Sequence, residues 1–268
     1  MTKIEFLYKL TTSKAALKKI TLIPGETYYF FLQEVASTLG VSTFKLFNNY
    51  AIYAYRKDGN ILADTYYLPL GMKPKDLILY LLNTTDKRYE ALSKKIFRTY
   101  NKKKWYDRYI TIASIIQKEA ASKDEMRIIS SVIYNRLKKG MKLQMDGVLN
   151  YGKYSHTKVT PKMIKEDNTD YNTYKYKGLP SNPVCAVELA SIKAAISPNI
   201  TDYLYFVKAP DGKSHIFSSS FRKHKKNIKN IKRKKRKKLI KRKKRVKHKV
   251  KKTVKKKDRS KRLKSLFD

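Results

Sequence analysis

The last 47 residues decide where this chain can fold. From Arg222 to Asp268 there are 28 Lys and Arg against two acids, a net charge of +26. From Lys225 on, this run repels itself and is expected to stay disordered. The folded body is therefore sought within Met1–Phe221, which is moderately basic, with 35 Lys and Arg against 19 acids. That length suits one large domain or two small ones. Apolar residues make up 41% of the chain and there are 21 tyrosines, so most of the body should bury a core.

Cys185 is the single cysteine. It excludes an intramolecular disulfide and any multi-cysteine metal site, and reads as a buried thiol. His156, His215, His224 and His248 are far apart and never fall in H-E-x-x-H spacing, so no metal is expected. No apolar run approaches the roughly 18 to 20 residues that cross a bilayer, and no leader with a small-residue cleavage site opens the chain. Taken literally, the polypeptide is expected to be soluble.

The pattern predicts a mixed, α+β body. An amphipathic helix is expected over residues 1–17, then a strand at Lys19–Leu22 closed by the Pro24-Gly25 turn. Tyr28, Phe31, Leu32, Val35, Ala36 and Leu39 fall at helical spacing, with Gly40 as the stop. A helix around Ser42–Tyr53, a turn at Asp58-Gly59-Asn60, an extended Ile61–Leu68 and a short helix at Asp76–Leu82 follow. Lys87–Lys104 reads as a separate connecting helix. Beyond it, helices are expected over Asp107–Ala121 and Lys123–Lys139, the second opened by a Ser122/Glu125 capping box and ended by Gly140. A loop-rich stretch from Met141 to Pro183 precedes a helix near Val187–Ile196. Tyr203–Lys208 should pair with His215–Phe217 across Pro210-Asp211-Gly212.

Glu119 is the residue that most invites chemistry. Ile112, Ile115 and Ile116 precede it by seven, four and three positions, which puts its carboxyl on the face that should be buried. A buried carboxyl without a cation responds with a raised pKa, and a carboxylic acid neutral near pH 7 can protonate a glycosidic oxygen. Two readings stay open on periodicity alone: such an acid, or a Glu paired with Lys or Arg or rotated off the face. Asn135 and Arg136 end the next helix, either as surface and dipole-favoured residues or as a pair facing Glu119. Gln144 and Asp146 would point the same way from an extended segment. Tyr171, Asn172 and Tyr174 combine rings with a planar amide, which suits sugars, although aromatic loops are more often simply packed. His215 and Phe217 share one face of their strand.

These segments together resemble the YceG-like endolytic murein transglycosylases. The blocks in register are Ala113-Ser114-Ile115-Ile116-Gln117-Lys118-Glu119, Tyr134-Asn135-Arg136-Leu137, Gly140 to Asp146, Tyr151-Gly152, Tyr171-Asn172-Thr173-Tyr174, Gly178-Leu179-Pro180, and Tyr203 to Val207 leading to His215 and Phe217. Ile23-Pro24-Gly25-Glu26-Thr27 and Ala63-Asp64-Thr65-Tyr66 are similar as well. The resemblance covers roughly Lys19 to His224, and Thr111 to Phe217 is its specific part.

The resemblance implies a LysM-like subdomain over residues 1–86, N-terminally incomplete, and a connecting helix over 87–104. A lytic-transglycosylase-like catalytic domain over 105–224 and the basic tail over 225–268 complete it. It implies cleavage of the bond between N-acetylmuramic acid and N-acetylglucosamine within glycan strands, leaving 1,6-anhydro ends without metal or cofactor. Glu119 would be the catalytic acid and base, and Asn135, Arg136, Gln144, Asp146, Tyr171, Asn172, Tyr174 and His215 would bind substrate. Implied partners are peptidoglycan glycan strands and cell-wall synthesis enzymes, at the bacterial inner membrane facing the periplasm.

Departures from the family pattern are Gln117, where many relatives carry an acid, Gly147-Val148-Leu149 after Asp146, and Ser181-Asn182. Relatives also begin with a cytoplasmic stub and a membrane-spanning helix, and the first residues here align inside the first subdomain. Two rival functions remain at this stage. One is a nucleic-acid-binding protein acting through the tail, which would bind any polyanion (anionic lipid, wall polymer or nucleic acid) but lacks interleaved aromatics. The other is an inactive glycan-binding relative.

Overall fold

The computed structural model describes residues 17–236. The helix expected over residues 1–17 lies, apart from Leu17, outside the described residues, as does the basic run from residue 237 onward. The chain divides into two compact units, one ending at Asp202 and one starting at Tyr203.

The first unit opens with β1 (Leu17–Thr21), α1 (Tyr28–Leu39), α2 (Thr43–Tyr53) and β2 (Thr65–Pro69). The two strands pair antiparallel, with Ile20 opposite Tyr66 and Lys18 opposite Leu68. Strand alternation sends Ile20, Tyr66 and Leu68 inward and leaves Lys19 and Tyr67 outside. On α1 the buried residues are Phe31, Leu32, Val35, Ala36 and Leu39, as the spacing predicts. Gly40 ends that helix in the left-handed region at φ 66°. Ser42 caps α2 by accepting the Lys45 N–H at 3.3 Å. These faces close over a core that also takes Leu46, Leu77, Ile78 and Leu81.

The sequence predicts a helix over Asp76–Leu82 and another over Lys87–Lys104, and the structure runs one continuous helix, α3, over Pro74–Phe97, followed by a single turn at Lys102–Lys104. Asn83-Thr84-Thr85-Asp86 looks like a break because its residues are polar. Its polar groups bond outward instead: Thr85 Oγ1 accepts the Leu62 N–H at 3.0 Å, and Asp86 pairs with Lys102. Helix α3 ends at Arg98, itself left-handed at φ 64°. A wide π-helical turn, Trp105–Ile110, then buries Trp105 and Tyr106 and feeds directly into α4 (Thr111–Glu119).

Helix α5 (Met126–Lys138) does not begin with the expected capping box. The Ser122 side chain makes no cap hydrogen bond, and a single 3-10 turn, Lys123–Glu125, leads in instead. Its C-terminus is the doubly bonded glycine stop: Gly140 N–H donates to Leu137 O (3.0 Å) and Met141 N–H to Arg136 O (2.9 Å). Short helices α6 (Asp146–Leu149) and α7 (Pro161–Glu166) punctuate the loop that follows, and α8 (Leu189–Ile196) packs on α4 and α5. Ile112, Ile115, Ile116, Ile129, Val132, Ile133 and Ile192 have no exposed surface. Burying each such side chain contributes about 1.5–3 kcal/mol.

An extended segment, residues 183–188, ties α4 to the β1–α1–α2–β2 unit. Val184 N–H donates to Ser114 Oγ (3.0 Å) and the Cys185 thiol to Ser114 O (3.4 Å) on one side. On the other, Gly25 N–H donates to Ala186 O and Ala63 N–H to Val187 O, both at 3.0 Å. Cys185 is fully buried and burial pushes its thiol pKa up, so it is a packed thiol.

In the second unit β3 (Tyr205–Lys208) and β4 (His215–Ser218) form the predicted antiparallel hairpin, with Phe206 opposite Phe217. Asp211 Oδ1 holds its turn by accepting the Lys213 and Ser214 N–H groups at 2.8 and 3.1 Å. The start of the basic stretch departs from the expectation of disorder, because residues 221–236 are helical. Phe221 and His224 pack on Tyr205, Asn227 Nδ2 donates to Ser218 Oγ at 2.9 Å, and Ile231 is buried. The cations occupy the exposed face, where solvent screens them. Among the described residues, no helix is long and apolar enough to cross a membrane.

Candidate active site

Helix α4 carries the candidate acid at its last position. Its isoleucines anchor one face, and Glu119 closes the helix with its side chain still part-exposed. A carboxylate is disfavoured at this end by the helix dipole. Burial among protein atoms pushes its pKa up to about 7, the Gly147 N–H opposes the shift, and the nearby Asp146 carboxylate adds to it. The Gly147 N–H donates to Oε1 at 2.8 Å. Among the described residues, no Lys or Arg pairs with Glu119, so the reading as an ordinary buried ion pair is not what the structure holds. Glu119 is thus a part-exposed residue whose carboxyl is raised to about 7, the kind of perturbed acid that marks functional sites.

The partners of Glu119 come from the segment after α5. Gly147 is the second residue of α6, and a Cβ there would fall 2.6 Å from Lys118 Cβ and 2.9 Å from Glu119 Oε1. Only glycine lets the backbone approach this closely. Asp146 is exposed and accepts the Tyr174 hydroxyl at 2.6 Å.

Arg136 is 7% exposed and works inward, toward backbone. Its Nη1 donates to Lys142 O (3.0 Å), Leu143 O (2.7 Å) and, more loosely, Gln144 Oε1 (3.4 Å). Gln144 is held in the left-handed region, at φ 51°, a conformation that costs a non-glycine residue about 1 kcal/mol or more. Thr173 fixes the same spot: its carbonyl accepts the Gln144 N–H, and its Oγ1 accepts the Met145 N–H, both at 3.1 Å.

The structure thus brings Glu119, Asp146 and Tyr174 into one cluster, and fastens Gln144 to Arg136 just upstream of it. Asn172 has a different placement. It is fully buried, its Nδ2 donates to Ile164 O and Asp167 O at 2.8 Å each, and its Oδ1 accepts the Tyr174 N–H. Both amide hydrogens and one acceptor site go to the loop's own backbone. Tyr171 is buried and stacked on Tyr151 at 4.0 Å. Asn135 Nδ2 donates to Thr201 O at 2.8 Å. His215 belongs to the second unit, on β4 opposite Lys208 and edge-on to Phe206.

Sequence reasoning missed Gly147 and Thr173 as parts of the site. Their roles are backbone contacts between segments far apart in the chain, which leave no periodic trace. It also read Asp58 only as a turn residue. Asp58 is 4% exposed, with burial pushing its pKa up to about 7 against the opposing Gly59 and Tyr28 N–H groups. No group of three His, Cys, Asp or Glu is arranged to hold a metal among the described residues.

The model of the YceG-like family matches residues 1–230. The endolytic murein transglycosylase of Bacillus subtilis (strain 168) is 33% identical over 152 residues, which are 57% of this chain and 41% of that protein. The protein of the same name from Streptococcus pneumoniae serotype 2 is 30% identical over 179 residues, 65% of this chain and 32% of its own length. The chain thus spans less than half the length of these relatives. A crystal structure of a yceG-like protein from Listeria monocytogenes superposes with a TM-score of 0.65 at 24% identity, covering 84% of this chain and 81% of that one.

Proposed function

The chain belongs to the YceG-like family, and from that premise we propose that it is an endolytic lytic transglycosylase of peptidoglycan, active in cell-wall assembly and remodelling. The reading rests on one observation above the others: a reachable carboxyl raised to about 7, with Gly147 N–H as its bonded partner. The relatives named endolytic murein transglycosylase supply the substrate class.

In this mechanism protonated Glu119 gives its proton to the glycosidic oxygen between N-acetylmuramic acid and N-acetylglucosamine, and the C1–O bond breaks. The carboxylate left behind accepts the Gly147 N–H bond and is thereby steadied. It then takes the proton of the muramic C6 hydroxyl while that oxygen bonds to C1, which closes the 1,6-anhydro ring. Proton count and charge balance with one carboxylate, because the sugar provides its own nucleophile in place of the second carboxylate and water of ordinary glycosidases.

Gln144, Asp146 and Tyr174 are the residues we assign to the sugars. Arg136, Asn172 and Tyr171 are read as positioning residues for the loop. Asn135 and His215 keep the substrate-binding role that the resemblance implies. The β1–α1–α2–β2 unit is taken as the LysM-like subdomain. Cell-wall synthesis enzymes are the proposed protein partners, at the inner membrane facing the periplasm. The cationic face of residues 221–236 is suited to a polyanion of membrane or wall.

Digesting purified peptidoglycan with the wild-type chain and with Glu119→Gln, and weighing the products by mass spectrometry, tests the reading. Anhydro-muropeptides from the wild type alone are expected. Equal product from both proteins would refute the assignment of Glu119, and glycan binding without product would favour an inactive relative.

A further inference from the structure

The helix of residues 221–236 carries ten Lys and Arg and no acid. From Tyr203 to Arg236 as a whole there are twelve Lys and Arg against one acid, Asp211. That acid is occupied in the hairpin turn, where it accepts the Lys213 and Ser214 N–H groups. Among the described residues, none of the helix's Lys or Arg side chains forms an ion pair with an acid. This charge has no internal use.

The cations are sorted by face. Arg222, Lys225, Lys226, Lys229, Lys232, Arg233 and Arg236 fall at i, i+3, i+4, i+7, i+10, i+11 and i+14, which puts them on one side of the helix. All of them are exposed. The other side is fixed to the hairpin. There His224 stacks on Tyr205 at 5.3 Å, Asn227 Nδ2 donates to Ser218 Oγ at 2.9 Å, and Ile231 is 6% exposed. Like charges three and four residues apart destabilise a helix, so these anchors hold the row together against its own repulsion. The result is a preformed row of cations about 20 Å long.

Phe221 narrows the kind of polyanion that fits. Its ring packs on Tyr205 at 5.7 Å yet stays 56% exposed, and Lys225 Nζ lies 4.9 Å from its centre. An exposed ring bordered by ammonium groups suits a lipid interface, where the ring enters the acyl boundary and the cations stay with the headgroup phosphates. The sequence that follows keeps the same mixture. Leu239, Val246 and Val250 interrupt a further 18 Lys and Arg between residues 237 and 268. A soluble polyanion offers such apolar residues nothing, whereas an anionic bilayer takes both kinds.

We propose that the exposed face of residues 221–236 docks on an anionic phospholipid bilayer, with its cations against headgroup phosphates and Phe221 in the interface. This docking rests on the polyanion reading of the face given above and narrows it to one partner. It is independent of the reaction at Glu119. The second unit thereby has a task of its own, holding the chain at a lipid surface.

The test is co-sedimentation of the full chain with vesicles of phosphatidylcholine alone and of phosphatidylcholine mixed with phosphatidylglycerol. Affinity should be about 10²-fold higher for the anionic vesicles and should fall with added salt. Two triple variants matched in charge then separate the face from the total charge. Lys225→Gln, Lys229→Gln, Lys232→Gln depletes the face, and Lys223→Gln, Lys234→Gln, Lys235→Gln removes the same charge elsewhere on the helix. At about fivefold per cation near the surface, the first should weaken binding about 10²-fold and the second about threefold or less. Circular dichroism of each variant checks that the helix is retained. Equal losses from the two variants overturn the face as the docking surface. Duplex DNA and soluble poly(glycerol phosphate), at the same phosphate concentration, are the rival ligands. Phe221→Ala should weaken binding to vesicles and leave binding to DNA unchanged. Tighter binding to either rival than to anionic vesicles overturns the bilayer alone, whereas binding to none of the three overturns the polyanion reading beneath it as well.

Discussion

The amide of Gly147 donates to Oε1 of Glu119 at 2.8 Å, and a Cβ at position 147 would sit 2.9 Å from that same oxygen. The bond and the missing side chain are two parts of one arrangement. The N–H favours the ionised carboxyl while burial favours the neutral one, and the pKa settles near 7 between them.

Gly147→Ala should therefore damage activity more than stability. The new methyl must displace either the Glu119 carboxyl or the side chain of Lys118. Overpacking of this kind costs about 1–3 kcal/mol, and misplacing the acid should lower product formation by about 10²-fold. Initial rates of anhydro-muropeptide release, set beside a melting curve, check both figures.

The rate should fall as pH rises through about 7, because only protonated Glu119 can protonate the glycosidic oxygen. Asp146 raises that pKa by its charge, so Asp146→Asn should move the fall to lower pH. A pH–rate profile for both proteins reads the displacement. An unmoved or upward-moved limb would contradict the electrostatic coupling of the two carboxyls.

Stability should show the same carboxyl from the other side. The folded pKa lies above the ordinary glutamate value, so ionisation penalises the folded state, and stability is lost between about pH 4.5 and 7. Glu119→Gln removes the penalty and keeps an acceptor for Gly147. Allowing for the part-exposed side chain, it should be stabler than the wild type by about 1–2 kcal/mol at pH 8. The difference should vanish toward pH 4, as paired thermal melts at the two values would show.

Asn172→Ala should loosen the loop without removing any group that faces a sugar. It leaves the carbonyls of Ile164 and Asp167 and the Tyr174 N–H without their partner, a cost of about 2–3 kcal/mol. Faster proteolytic nicking between residues 160 and 176, with KM raised more than kcat falls, is the expected pattern.

Periodicity made the main helices legible because their apolar faces meet a core directly. Tyr28 to Leu39 and Ile112 to Glu119 needed no tertiary information beyond that. Thr85 misled because a buried threonine that bonds Leu62 across 23 residues looks, in sequence, like a helix break. Ser122 and Glu125 misled in the opposite sense, a familiar local motif overridden by a 3-10 turn. The spacing of Ile112, Ile115 and Ile116 singles out Glu119, whereas Gly147, Thr173 and Asp58 make contacts that exist only after distant segments meet. The residue type of Asn172 carries no sign of the three backbone groups its amide joins.

The strap at residues 183–188 also sets an order of events during synthesis. Helix α4, with its acid, leaves the ribosome some seventy residues before Val184 and Cys185. Until those residues arrive, Ser114 lacks the partners that hold α4 against the β1–α1–α2–β2 unit. The helix that carries the carboxyl of Glu119 thus acquires the contacts described above only when the first unit is almost entirely made.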